Sequence, residues 1–94
     1  MAEAQILVER TGDGDPLRFR VTVTEGDSRT VHEVTLSAAD LERLGGPFGS
    51  PEELVEASFR FLLAREPKEA ILPSFDLPAI ARYFPGFEGE VART

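Results

Sequence analysis

Between Glu52 and Arg65 the chain carries an apolar surface too broad for one neighbouring layer to hide. Placed on a wheel at about 100° per residue, Glu53, Glu56 and Arg60 share one narrow polar stripe. Leu54, Val55, Ala57, Ser58, Phe59, Phe61, Leu62, Leu63 and Ala64 fill the rest, an arc of roughly 260°. A surface helix needs an apolar stripe of only about 100° to cover one core face. A single sheet therefore leaves part of this helix in water, and a second layer must be found. Either the C-terminal segment folds back over it, with Phe75, Leu77, Ile80 and Phe84 on Phe59 and Leu63, or a second copy supplies the cover as a homodimer.

The start of this helix is written locally. Ser50 is a good N-cap, Pro51 suits the first helical position, and Glu53 can return to the cap three residues on. Glu56 and Arg60 form an i,i+4 pair, and Pro67 stops the helix near Arg65. A shorter helix at about 38–44 precedes it. Ser37 to Asp40 has the form of a capping box, Leu41 and Leu44 give an apolar edge, and Gly45-Gly46-Pro47 ends it.

Before residue 37 the period is two, not 3.6. Residues 5–10 read as a short strand, and Thr11 to Pro16 as a turn full of breakers. In residues 17–24, Leu17, Phe19, Val21 and Val23 alternate with Arg18, Arg20, Thr22 and Thr24, giving one buried and one wet face. After a turn at Glu25 to Ser28, residues 30–36 place His32, Val34 and Leu36 on one face and Val31, Glu33 and Thr35 on the other. Short connections imply an antiparallel meander.

Residues 71–87 hold Ile71, Leu72, Phe75, Leu77, Ile80, Tyr83, Phe84 and Phe87, too much apolar surface for a disordered tail. Asp76 can cap a short helix at about 77–84 with Pro78 in its first turn. The expected fold is α+β and one domain over residues 1–94: a three-stranded antiparallel β-meander, a short helix, a long buried helix at 51–65, and a short C-terminal helix packing on it. Residues 88–94 read as frayed.

Composition narrows the function more than it names it. With no cysteine and a single histidine, thiol chemistry, zinc ribbons and iron–sulfur clusters have no ligands. The net charge of −7 is spread evenly, so no basic footprint awaits nucleic acid. No apolar run approaches the roughly 18 residues of a membrane span, and the N-terminus lacks a basic region before an apolar stretch. The expected address is the cytoplasm. Nine of the ten basic residues are Arg and Asn is missing, a composition that fits a GC-rich bacterial genome.

Partial motifs dissolve on inspection. His32-Glu33 begins a zinc-protease signature, but position 36 is Leu and the pair lies on a strand. Gly12 and Gly14 are followed by Leu17 where a dinucleotide loop needs its third Gly, and Asp13 and Asp15 precede Pro16 with no spaced Glu to complete a calcium loop. Glu52 and Glu53 complement the helix dipole. Arg18 and Arg20 read as a solvated sheet face. No catalytic, cofactor-binding, metal or small-molecule site is expected. The strand–helix–helix order from Val31 to Arg65 has the outline of a ribbon-helix-helix DNA-binding dimer, though Glu33 would face phosphate and two strands come first.

The residues 51–67, PEELVEASFRFLLAREP, followed by Ile71-Leu72, Phe75-Asp76-Leu77 and Arg82-Tyr83-Phe84-Pro85, resemble a small family of uncharacterised bacterial proteins of actinobacterial type. The likeness spans about 40 residues; Gly86 departs from it, since the family carries an acidic residue there. It implies no activity, but it implies that the tail belongs to the domain. The chain is thus expected to be a non-enzymatic protein-interaction module, binding itself or another protein. Arg82, Tyr83, Phe84 and Phe87 are the expected contacts, because aromatics with Arg make interface hot spots.

Overall fold

A computed structural model describes residues 3–92. Three strands come first, β1 (Gln5–Gly12), β2 (Leu17–Glu25) and β3 (Ser28–Leu36), then helices α1 (Ala38–Leu44) and α2 (Pro51–Leu63). After a 3-10 turn at Lys68–Ala70 come a short strand β4 (Ser74–Asp76), a second 3-10 turn, and helices α3 (Ile80–Tyr83) and α4 (Phe87–Val91). The sheet order is β1-β2-β3-β4, antiparallel through β3, with β4 parallel to β3. Among the described residues no helix is long and apolar enough to cross a membrane.

The β2–β3 turn has only Gly26 and Asp27 between Glu25 and Ser28. Gly26 takes φ +58° while Asp27 does not go positive, the type II′ geometry whose twist matches a hairpin. The register then runs without a slip from Glu25 opposite Ser28 to Leu17 opposite Leu36. That register puts Phe19, Val21, Val23, Val34 and Leu36 on one face, all essentially unexposed. The other face stays in solvent. β1 is bent by a bulge between Arg10 and Gly12.

Both helix starts are built as their capping residues dictate. Ser37 Oγ accepts from the Asp40 amide at 3.1 Å and donates to the Asp40 carboxylate at 2.9 Å. Ser50 Oγ accepts from the Glu53 amide at 3.2 Å, with Pro51 in the first turn. At the end of α1 the Gly45 amide reaches the Leu41 carbonyl so closely that a Cβ there would stand 2.5 Å from that oxygen, which only glycine avoids.

α2 sinks Leu54, Val55 and Phe59 into the core, none of them exposed, and Phe59 meets His32 of the sheet. Arg10 grips its first turn with a two-pronged pair to Glu52, both contacts 2.8 Å. The tail covers the Phe61 edge of its buried arc. Phe61 meets Phe84 and Phe87 edge-on, centroids 5.9 and 5.2 Å apart, and Arg65 lays its guanidinium 3.7 Å over the same ring. Phe75 approaches Phe59 at 5.9 Å, so part of the expected cover forms within the chain, with Phe61 in place of Leu63 as its second anchor; it stops short of the full arc, because Ala57 and Leu63 are half-buried and Ala64 is exposed.

Several details differ from the sequence reading. The helix ends at Leu63, two residues early, because Arg65 and Glu66 turn to bond the Leu62 carbonyl. Ser74–Asp76 is a strand that three residues could not announce by periodicity, and Asp76 accepts from Thr35 Oγ1 at 2.8 Å instead of capping the next turn. The 88–94 stretch is not frayed as far as Val91. Phe87 and Val91, spaced i,i+4, are both buried, and ion pairs Arg43–Glu88 and Arg65–Glu90 hold their polar neighbours. Residues 93 and 94 lie outside the described residues. β3 has neighbours on both edges, so the intersubunit ribbon of a ribbon-helix-helix dimer has no edge there to form on.

Phe87→Ala is expected to lower unfolding free energy by about 3 kcal/mol, as loss of a buried Phe does. Tyr83→Ala, on a side chain 66% exposed, should stay within about 0.5 kcal/mol of the parent in the same urea titration. Equal effects would mean that the tail does not pack as described.

Candidate functional site

Where the end of α2, the 70–75 segment and α3 converge, the surface opens into an apolar cleft of about 340 Å³. Leu62, Ile71 and Ile80 form a buried floor, Phe75 and Phe84 are half-buried walls, and Leu72 and Tyr83 stand on the rim, 44% and 66% exposed. Among the described residues Glu66 is the one charged side chain in the lining. An isolated exposed Leu or Tyr means little. Here two of them flank one concave apolar surface.

The rim is held from the sheet. His32, buried beneath Phe59 with ring centroids 5.4 Å apart, donates from Nδ1 to the Leu72 carbonyl at 2.8 Å. A carbonyl can only accept, so the proton sits on Nδ1, and in the neutral ring Nε2 accepts from the Thr30 hydroxyl at 2.9 Å. The next backbone bond continues the tether, with the Glu33 amide donating to the Pro73 carbonyl at 2.8 Å. His32 therefore positions the rim and is spent on that task; both ring nitrogens are engaged. Among the described residues no three His or carboxylate side chains converge as a metal site would need.

A second clamp holds the turn between α2 and the cleft. Lys68, almost fully buried, ends between Glu69 at 2.6 Å and Glu25 at 3.1 Å, joining this turn to the β2–β3 hairpin. The hydrogen bond to Glu69, and then the one to Glu25, raise the Lys68 ammonium above its ordinary value against a desolvation that lowers it. The same bond with Lys68 holds the Glu69 carboxyl below its own ordinary value.

The sequence-expected contacts divide. Tyr83 and Phe84 line the cleft, and Arg82 is exposed beside it on α3 without lining it. Phe87 belongs to the core: it is unexposed against Phe61, because the turn at Pro85-Gly86 brings α4 back under α2. Sequence reasoning did not assemble Leu62, Glu66, Ile71, Leu72 and Phe75 into a site. They come from three separate segments, and only the apolar pair Ile71-Leu72 ahead of Pro73 hinted at them. What the cleft offers chemically is apolar burial with one carboxylate at hand.

No family model, no curated protein and no solved structure matches this chain.

The Lys68 clamp has a pH signature. A carboxyl depressed on folding contributes stability that is present above its ordinary value of 4.5 and is lost as pH falls through its lowered value. An ammonium raised on folding contributes stability that is present below its ordinary value of 10.5 and is lost as pH rises past its raised value. Thermal unfolding should thus be flat across neutral pH and fall on the acid side below the ordinary carboxylate range. Lys68→Met should make that acid-side fall shallower; superimposable melting-against-pH curves would sink this account.

Proposed function

We propose that this chain is a non-enzymatic protein-interaction domain, acting in the cytoplasm, whose cleft between α2 and α3 takes an apolar anchor side chain from a partner protein. The observation that carries this reading is the apolar hollow of about 340 Å³ with Leu72 and Tyr83 exposed on its rim. Its size suits one large side chain or a short turn of peptide, and its lining suits an aliphatic or aromatic one. Glu66 in the lining and the net charge of −7 favour a partner segment with Lys or Arg beside the anchor. Tyr83, Phe84, Leu72 and Phe75 would make the contact, and Arg82 would act at the rim. DNA lacks support on two counts: the charge is wrong, and β3 is enclosed in the sheet.

Selection of displayed random peptides against the immobilised domain tests this. Enriched sequences should share an apolar residue next to Lys or Arg, and Tyr83→Ala with Leu72→Ala should weaken their binding by about tenfold or more without changing the melting temperature. Peptides that bind the double variant as tightly as the parent would place recognition elsewhere. Duplex DNA at low salt should show no shift on a gel.

A further inference from the structure

The sheet ends in two edges that the sequence treats differently. β4 is three residues long, with Pro73 before it and Pro78 just after, which is how natural sheets blunt an edge. β1 is eight residues long, with neither Pro nor Lys and with its bulge only past Arg10, and among the described residues it pairs only with β2. No backbone bond from any other element reaches its outer side among the described residues. Because Glu25 and Ser28 close a two-residue turn, they exchange both hydrogen bonds, and alternation back through β2 turns the even-numbered residues there toward β1. Gln5, Leu7 and Glu9 therefore bond inward to Thr24, Thr22 and Arg20, leaving the amides and carbonyls of Ile6, Val8 and Arg10 pointing out.

We infer that this edge pairs antiparallel with β1 of a second copy across a two-fold axis at Leu7, joining two sheets into one. The strand's own charges select the register. A two-fold that keeps both packed faces on one side must pass through a residue. Centred on Ile6, it sets Glu3 opposite Glu9 of the partner subunit; centred on Glu9, it sets Glu9 against itself. Centred on Val8, it sets Ile6 opposite a partner Arg and Leu7 opposite a partner Glu. Centred on Leu7, it sets Leu7 against its own copy, Ile6 against Val8 of the partner subunit, and Glu9 against Gln5 of the partner subunit, with no like charges opposed. The outward-pointing Ile6 and Val8 are then the hydrogen-bonded pairs, as antiparallel geometry requires.

The wet face agrees. Leu7 is 57% and Val31 48% exposed, and both flank Thr22 in one row across β1, β2 and β3. In the joined sheet the two rows meet end to end at Leu7, which covers the most exposed aliphatic side chain of this face. This interface lies on the sheet edge at β1, apart from the α2–α3 cleft, and stands independently of the peptide-binding reading.

Light scattering after size exclusion, with sedimentation velocity at about 100 µM, tests it. The chain of 10.3 kDa should run at twice that mass. Leu7→Glu and Leu7→Lys, each at a position exposed in the single chain, should each raise the dimer dissociation constant about tenfold or more. Because residue 7 faces its own copy, an equimolar mixture of the two variants should recover the dimer. A parent that runs at monomer mass throughout overturns the proposal. So does a dimer that L7E leaves intact, a mixture that stays monomeric, or a dimer that Tyr83→Ala dissolves instead.

Discussion

Phe61 sits about 200° around α2 from Phe59, so the layer that hides one ring cannot hide the other. Phe59 goes to the sheet side, against His32 and Phe75. Phe61 must find its cover at the other edge of the buried arc, and it finds Phe84, Phe87 and the guanidinium of Arg65. Two rings at opposite edges of one buried arc call for two covering layers, and the tail makes the second. The positions of α3 and α4 follow from that demand. α4 is five residues long and could not hold itself as a helix in water; it exists because Phe87 and Val91 bury against α2.

The cleft is a by-product of the same folding-back. To reach Phe61 the chain must leave α2, turn at Lys68, run beside β3 as β4, and return as α3. The short elements of that path do not close fully over Leu62, Ile71 and Ile80, and the gap is the apolar hollow. Two polar devices keep the path in place where apolar contacts are few: His32 with Thr30 and the Leu72 carbonyl, and Lys68 between Glu25 and Glu69. Both groups are buried and partnered, the condition under which buried polar groups specify an arrangement instead of weakening it.

Much of the fold was legible because its signals are local. Ser37 and Ser50 announce α1 and α2 through hydrogen bonds spanning three residues, and the alternation of Phe19, Val21 and Val23 declares a half-buried strand. The site was legible only in part. Tyr83 and Phe84 stood out as aromatics in the tail, yet the same reasoning admitted Phe87, which is core. Nothing in the order of letters separates an aromatic that packs from one that projects. The rotation of a four-residue helix such as α3 is set by its neighbours and not by its own period.

By itself the sequence determined that this is an α+β chain with three antiparallel strands, two capped helices, and one helix whose apolar arc is wider than a single sheet face covers. Hydrogen-bond patterns and side-chain periodicity act over three or four residues, and those distances are visible in the letters. Only the tertiary structure decided that Phe61 is covered from within the chain, that Ser74–Asp76 joins the sheet beside β3, and that one sheet edge is guarded while β1 is left open. These are contacts between residues tens of positions apart. They depend on which surfaces meet once the local elements have formed, and burial has no period along the chain.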